Sequence, residues 1–323
     1  MSAETSPRPF LKWAGGKRQL LPQLRRYYPR EIRGYHEPFL GSGAVFFDLW
    51  NLGRLRGVPV RLTDGNSDLV GCYLRLVDAT DAVIATLGDL AAGHQRDATA
   101  HYYAVRDEQF NPARAAWRAG GGAAAAYTPV LAAMLIYLNR TGYNGLFRQN
   151  AGGGFNVPAG RYDRPRILDE PRLRAVARVL ADPRITLAEA PFEQVRATAR
   201  RGHFVYFDPP YAPLSSTSRF RAYTARGFED DDQRRLQAVA VGLAGRGVHV
   251  LLSHSTAPIV SALFERDHAA RAAGLVAHRI KARRGINSRA DARGAIDELL
   301  VSTGGPHPDV AAPAPGLAPA DIP

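Results

Sequence analysis

Two periods alternate along the chain. Leu20, Leu21, Leu24 and Tyr28 recur at helical spacing after a Gly15-Gly16 turn. Tyr35 to Phe39 then reads as a short strand, Gly41-Ser42-Gly43 as a tight turn, and Ala44 to Asn51 as a helix. Val58 to Thr63 is a second strand, ending at Asp64. Strand, turn, helix and strand in that order open a doubly wound α/β sheet. The pattern resumes late, in the short apolar runs Ile185 to Leu187, Phe204 to Phe207 and Val248 to Leu252. Helical spacing separates them, as in Leu236, Val239, Ala240 and Leu243. Between the halves lies a different text, rich in Gly, Ala and Arg, over residues 73–178. A sheet rarely needs so long a gap between neighbouring units, which predicts an inserted domain. The expected division is a sheet domain of 1–72 and 179–303, an insertion of 73–178, and a disordered Pro/Ala-rich tail of 304–323.

One apolar stretch is long enough to cross a bilayer. Ala119 to Leu138 carries no charge. It begins with Gly120-Gly121-Gly122, and Pro129 interrupts it. Thr128 suits an N-cap and Pro129 the first helical position, leaving a helix from Pro129 to about Asn139 that is too short to span. Met1 to Pro9 is polar and carries no secretory pattern. A cytoplasmic protein without membrane contact is expected.

Composition narrows the class. The chain has 323 residues, 46% of them hydrophobic, which excludes a disordered polymer and provides for a sizeable core. The formal net charge is +12, and the only lysines are Lys12, Lys17 and Lys281. A basic balance favours a polyanionic partner such as nucleic acid, or an anionic membrane surface; genome composition is the alternative source of so much arginine. Cys72 is the single cysteine, so a disulfide within the chain and a cysteine-based zinc site are both excluded. The nine histidines show no metal-ligand spacing, and no metal is expected.

The candidate chemistry begins at Asp208-Pro209-Pro210-Tyr211, directly after the apolar run Phe204 to Phe207. A carboxylate at the carboxyl end of a strand faces the ligand crevice of an α/β sheet. Two prolines stiffen the turn, and Pro209 has no N–H to donate. Backbone carbonyls are left as acceptors, and Tyr211 offers an aromatic face. Together they suit a planar aromatic amine. An ordinary strand-ending Pro-Pro turn would read the same in isolation. The glycine turn Glu37-Pro38-Phe39-Leu40-Gly41-Ser42-Gly43-Ala44 lacks the GxGxxG spacing of dinucleotide sites. Asp64 follows Gly43 by 21 residues, where an acid takes ribose hydroxyls, though Asp64-Gly65-Asn66 is also a turn signal.

In these blocks the sequence resembles the Dam-like DNA adenine-N6 methyltransferases, over nearly the whole chain to about residue 302. The blocks are Phe10 to Lys17, Glu37 to Ala44, Leu138 to Asn150 with Phe155 to Pro158 and Gly160 to Tyr162, Asp208 to Leu214, and Arg283 to Ser288 with Glu298 to Leu300. Five blocks in the family's order are far more specific than any one alone. The resemblance implies a Rossmann-like sheet that binds S-adenosylmethionine. It also implies an inserted, mostly helical target-recognition domain with a β-hairpin that enters double-stranded DNA. Trp13 and Lys17 match cofactor positions, as do Phe39, Gly41, Ser42 and Gly43 of the turn, Asp64 at the ribose, Asp208 and Phe192. Tyr143 and Asn144 match positions beside the target base. Leu146, Arg148 and Pro158 match base-reading positions of enzymes acting on GATC, and Lys12 a base contact. Asn150, Arg161 and Tyr162 match backbone or base contacts. One departure stands out: Ala190-Pro191-Phe192 lacks the acid that often precedes this phenylalanine.

The residue chemistry agrees in places. Arg148 suits bidentate readout of guanine, Arg161 a phosphate contact, and Asn144-Gly145 a tight turn. Val157-Pro158 suits a strand edge. The expected reaction is methyl transfer to N6 of a flipped-out adenine, with Asp208 and Pro209 accepting from the amine and Tyr211 stacking on the base. The competing readings are a methyltransferase for cytosine N4, RNA adenine or a protein glutamine, whose relatives tend to carry Ser or Asn in place of Asp208, and a non-catalytic DNA-binding regulator on the same scaffold. A monomer suffices for a palindrome, because each strand can be methylated in turn.

Overall fold

The computed structural model describes residues 5–13, 15–214, 228–283 and 295–307. Ala14, the Arg284 to Ser288 part of the last sequence block and residues 308–323 of the Pro/Ala-rich tail lie outside them. The strands are β1 (Tyr35–Glu37), β2 (Val60–Asp64), β3 (Ile185–Glu189), β4 (Phe204–Phe207), β5 (His249–Ser255), β6 (Val276–Arg283) and β7 (Ala295–Ser302). They form one sheet in the order β3-β2-β1-β4-β5-β7-β6. β3, β2, β1, β4 and β5 run parallel, and β7 joins β5 and β6 antiparallel. The direction of winding reverses between β1 and β4. In a doubly wound sheet, the crevice at that reversal is where ligands bind.

Side-chain alternation divides the core between the two sheet faces. Phe204 and Tyr206 of β4 join Tyr35, Leu62, Leu251 and Leu300 in one buried cluster. Val205 and Phe207 join Val250, Leu252, Leu299 and Val301 in the other. The apolar pattern located the strands but missed some ends. β1 stops at Glu37 and β2 starts at Val60, because Pro38 and Pro59 cannot donate to a ladder. β5 runs on to Ser255 because the backbone of Ser253 to Ser255 pairs with β7.

Helices α1 (Ala44–Asn51), α2 (Ser67–Asp78), α3 (Thr80–Arg96), α4 (Ala98–Tyr103), α5 (Asn111–Ala119), α6 (Pro129–Thr141), α7 (Glu170–Leu180) and α8 (Asp230–Ala244) cover the sheet. A π-helical segment, Ala104–Phe110, joins α4 to α5. α6 begins as the sequence predicts: the Thr128 side chain accepts a hydrogen bond from Leu131 N at 3.1 Å, and Pro129 follows. It runs two residues past Asn139, and Thr141 Oγ1 bonds back to the Tyr137 carbonyl at 2.7 Å. No helix among the described residues is long and apolar enough to cross a membrane. Residues 72–73 lie inside α2 and 178–179 inside α7. Val83, Leu87, Tyr102, Leu135 and Leu173 from the intervening helices share one buried cluster with Phe10, Tyr35 and Tyr206 of the sheet half.

The expected β-hairpin needs correction. Among the described residues, the segment from Gly142 to Gly160 forms no strand. It folds back on itself through two isolated antiparallel bridges, Gly142 with Ala159 and Gln149 with Phe155. Local chemistry explains the irregularity. Asn144 and Gly145 take positive φ values of 54° and 62°, Gly153 takes 79°, and Pro158 cannot donate.

α2 lies hard against the turn that leads into α6. A Cβ on Gly71 would sit 2.5 Å from Tyr127 Cβ. Gly71→Ala is expected to cost about 1–3 kcal/mol of stability by overpacking. Denaturant unfolding measures it, and an unchanged midpoint would show that α2 can move away from Tyr127.

Candidate active site

Three carboxylates mark the carboxyl ends of the central strands: Glu37 on β1, Asp64 on β2 and Asp208 just after β4. The glycine turn crosses between the first two. Gly41 and Gly43 take φ values of 49° and 66°, and a Cβ on Gly41 would lie 3.0 Å from Trp13 Cδ1. The turn thus runs directly against the indole. Asp64 is bound into it: Gly41 N donates to Oδ2 at 3.0 Å and Asn66 N to Oδ1 at 2.9 Å. Burial still pushes the Asp64 carboxyl up to about 6. Glu37 accepts from Tyr35 Oη at 2.7 Å, and burial pushes it up to about 8.

Asp208 has a cation of its own. Lys17 Nζ lies 2.7 Å from Oδ1 and also donates to the Gly15 carbonyl at 2.5 Å. Ser253 Oγ donates to Oδ1 at 3.3 Å, and Tyr206 Oη is 2.8 Å from Ser253 Oγ. Burial raises the Asp208 pKa, and Lys17 works in the opposite direction. The tyrosine of the turn is also fixed. Tyr211 Oη donates to Glu298 at 2.8 Å, the His254 ring stacks on it at 5.1 Å, and Lys17 Nζ lies 4.7 Å from its centroid.

His254 adjusts the turn from behind. Ser255 N donates to its Nδ1 at 2.8 Å, so the ring proton sits on Nε2 and goes to Gln233 Oε1 at 2.9 Å. Burial lowers His254 to about 3, so the ring is neutral. Gln233 Nε2 then faces the Pro210 carbonyl at 3.5 Å. That carbonyl is thus engaged, whereas among the described residues no donor reaches the Pro209 carbonyl.

The cleft holds about 1360 Å³. Trp13, Lys17, Phe39, Gly41, Ser42, Asp64, Phe192 and Asp208 to Tyr211 all line it. Gly43 stands behind the lining as the N-cap of α1. Phe39 stacks on Phe192 at 5.3 Å, with Phe228 edge-on to Phe39 at 5.7 Å. The lining carries eight carboxyl groups, of which Glu37, pushed up to about 8, holds its proton at neutral pH, against three cations, Lys17, Arg118 and Arg235. An acidic cleft in a chain of net charge +12 favours a cationic ligand.

The remaining expected residues gather elsewhere. Lys12 exchanges backbone hydrogen bonds with the Asn139 side chain at 2.8 and 2.7 Å, and its Nζ lies 4.2 Å from the Tyr162 ring centroid. Tyr143, Arg148, Asn150, Pro158, Arg161 and Tyr162 are exposed, while Asn144 and Leu146 are half-buried. Arg148 donates to Asn156 Oδ1 at 2.9 Å and to its carbonyl at 3.3 Å. Asn150 Oδ1 accepts from Gly154 N at 2.9 Å. Sequence reasoning missed Glu37 as a site residue, and also Ser253, His254, Gln233, Phe228 and Glu298. Glu37 and Glu298 lay inside quoted blocks. Gln233 and His254 gave no signal, because their role exists only through the fold.

A family model described as D12 class N6 adenine-specific DNA methyltransferase matches residues 13–284. The chain is 35% identical over 305 residues to the Type II methyltransferase M1.LlaDCHI of Lactococcus lactis subsp. cremoris, covering 92% of this chain and 96% of that one. It is 38% identical over 305 residues to the Type II methyltransferase M.MjaIII of Methanocaldococcus jannaschii, covering 91% and 98%. It is 36% identical over 293 residues to the DNA adenine methylase of Escherichia coli K12, covering 91% and 94%.

The Glu37 carboxyl gives a pH test. Its pKa is about 8 when folded against an ordinary 4.5. Between those values the folded state holds a proton that the unfolded state has lost. Stability from this group therefore falls as pH rises from about 4.5 to 8 and is then level. Glu37→Gln removes the titration. Its stability relative to the native chain is expected to rise from pH 5 to pH 8, as followed by thermal unfolding. A difference that stays flat with pH would place the titration elsewhere.

Proposed function

The chain belongs to the D12 class N6 adenine-specific DNA methyltransferases and methylates adenine N6 in DNA; from this premise, we propose that its methyl donor is S-adenosylmethionine, bound in the acidic cleft, and that its target is a flipped-out adenine in a GATC or closely similar site. The enzyme acts as a monomer on chromosomal DNA in the cytoplasm. The carrying observation is Asp208, paired with Lys17 at the β1–β4 reversal, in a cleft whose excess of carboxylates fits a cationic sulfonium and ammonium. The adenine specificity of the family sets aside the cytosine and protein-amine readings.

S-adenosylmethionine supplies an electrophilic methyl group on a positively charged sulfur. This chain's residues do the rest. Asp64 keeps lone pairs beyond those used by Gly41 and Asn66, and they can accept from ribose hydroxyls. Trp13 walls one side, and the Phe39–Phe192 stack supplies a surface for a planar ring. Glu37 and Lys17 serve the amino-acid end.

Adenine N6 is a poor nucleophile, because its lone pair is delocalised into the ring. Taking the base out of the duplex costs a few kcal/mol, to order of magnitude. Asp208 and the Pro209 carbonyl accept the two amine hydrogens, which draws the nitrogen toward tetrahedral geometry and frees its lone pair. Nitrogen gains the methyl group as the carbon–sulfur bond breaks, and then loses a proton toward Asp208. Burial has raised the basicity of this carboxylate for that step. Tyr211, held by His254 and Glu298, presents its ring to the base. Positioning and electrostatics carry the rate. In the recognition segment, Arg148 holds N–H groups beyond those given to Asn156, enough for a bidentate guanine contact. Lys12, Tyr143, Asn144, Leu146, Asn150, Pro158, Arg161 and Tyr162 share the same role at bases and backbone. The 73–178 helices carry that segment as a target-recognition unit.

Asp208→Ala is expected to lower methyl transfer by about 100-fold or more. Calorimetry should still detect S-adenosylhomocysteine in the variant, and near-native turnover would end the assignment. Expression in a methylation-free host followed by sequencing for modified adenines is expected to return GATC. Arg148→Ala should relax discrimination at one guanine by about 1–3 kcal/mol. Equal losses on every sequence would instead make Arg148 a phosphate contact.

A further inference from the structure

We propose that Arg114 is a positioning residue that locks the recognition segment to the cofactor cleft and so sets base discrimination. The inference rests on the reading above, in which residues 142–162 meet DNA and the acidic cleft holds the cofactor. Arg114 lies on α5, in the Gly/Ala/Arg-rich text that the sequence left without a role, and only 2% of it is exposed. Its guanidinium is divided between two sides. Nε and Nη2 bind Asp68 Oδ1 and Oδ2 at 2.6 and 2.7 Å. Nη1 donates to the Gly153 carbonyl at 2.5 Å.

Asp68 belongs to the cleft side. It lies in the first turn of α2, lines the cleft, and follows Asp64 by four residues. The link from Asp64 is stiff: Asp64 accepts from Asn66 N, and the Asn66 side chain accepts from Leu69 N at 3.1 Å. Gly153 belongs to the recognition side. It closes the loop that Asn150 folds, with Gly153 N on the Asn150 carbonyl at 2.9 Å. A third contact joins the two. Arg114 Cζ lies 5.6 Å from the Phe147 ring centroid, and Phe147 stacks on Trp13 at 5.6 Å. Phe147 is the residue before Arg148.

Arg114 is one of several helical side chains doing the work of a neighbouring strand. The carbonyls of Gly153, Phe155 and Val157 accept from Arg114, from Asn111 at 3.0 Å, and from Tyr102 and Arg106 at 2.9 and 3.0 Å. Asn111 Oδ1 also takes the Phe155 N–H at 2.8 Å. Phe155 and Val157 are alternate residues of the returning chain, whose carbonyls point the same way, so one helical face can serve both; Gly153 lies in the turn before them, at φ 79°. Of these contacts, Arg114 alone also reaches an acid of the cleft wall. Its planar fork can bind a carboxylate with two donors and a carbonyl with a third; lysine cannot match that geometry.

The test uses the full-length enzyme with two changes, Arg114→Lys and the double substitution Asp68→Leu with Arg114→Met. The double variant removes both buried charges together, which proteins often tolerate without loss of stability. Duplexes carrying the target site and its single-base substitutions give KM and kcat for each. S-adenosylhomocysteine binding by calorimetry reports the cleft. We expect the preference for the target over substituted sites to fall about tenfold, chiefly through KM for DNA, with S-adenosylhomocysteine affinity within about threefold of native. A folded variant that discriminates like the native enzyme would overturn the proposal. So would a variant that loses S-adenosylhomocysteine affinity in step with discrimination, since Arg114 would then be support for the cleft alone. A native enzyme that binds no S-adenosylhomocysteine would overturn the cofactor reading instead.

Discussion

Burial raises the pKa of the Asp208 carboxyl, so this group needs opposite charge beside it to favour its ionised form. Lys17 meets the need at 2.7 Å, and that requirement reaches far into the fold. Lys17 sits on a short 3₁₀ turn that must lie over the carboxyl ends of the strands. Phe10 and Leu11 anchor the chain just before it in the buried cluster. The next residue, Lys12, is gripped on both backbone groups by Asn139 of α6, whose amide also donates to the Gly145 carbonyl at 3.0 Å. A Cβ on Gly145 would come 2.4 Å from Lys12 Cβ, so only glycine allows that approach. The lysine that supports Asp208 and the turn that opens the recognition segment are thus held by one buried amide.

Charge is segregated in the same economical way. The chain as a whole is strongly basic, yet eight carboxyl groups line its main cleft. The acids of the cleft oppose entry of DNA phosphates, while the net positive charge of the chain favours a polyanion elsewhere. A neutral base is the one part of DNA that can enter an acidic site without electrostatic penalty. The same field suits the cationic methyl donor proposed above. Two ligands of opposite charge can therefore meet at Asp208 without competing for the same surface.

Much of this was legible in the sequence, and the failures have physical causes. Short apolar runs located β1 to β5, although burial differs among them: β4 is buried along its whole length, whereas β3 is a partly exposed edge strand. Their ends shifted where Pro38 and Pro59 withdrew donors, or where β7 extended the ladder past the apolar run. Asp208, Gly41 and Asp64, suggested by the strand ends and the glycine turn, come together around one cleft with Lys17, Trp13 and Phe192, which only the family resemblance implied. The His254–Gln233–Pro210 chain could not be read, because it joins residues from β5, α8 and the turn after β4. The expected hairpin came out as two isolated bridges for a related reason. Sequence shows turn residues and extended residues, but not which surface will satisfy their backbone groups.

In the proposed reading, an irregular segment, residues 142–162, must present side chains to bases in fixed positions. A regular two-stranded ribbon is marginal alone, and its register rests on its own ladder. Here the return limb is bonded by Arg114, Asn111, Tyr102 and Arg106, side chains of helices that share the core of the sheet. The return limb is therefore held on two sides, by these helices and by the outgoing limb, where Asn156 N donates to the Arg148 carbonyl at 3.1 Å. Arg148 is restrained from within the segment, by Asn156. A side chain already restrained loses less freedom when it docks, so more of its hydrogen-bond energy remains for telling one base from another. In that reading, an irregular segment can serve base recognition because its order comes from two sources, its own backbone bonds, such as Tyr143 N to the Pro158 carbonyl at 2.9 Å, and the helices packed behind it.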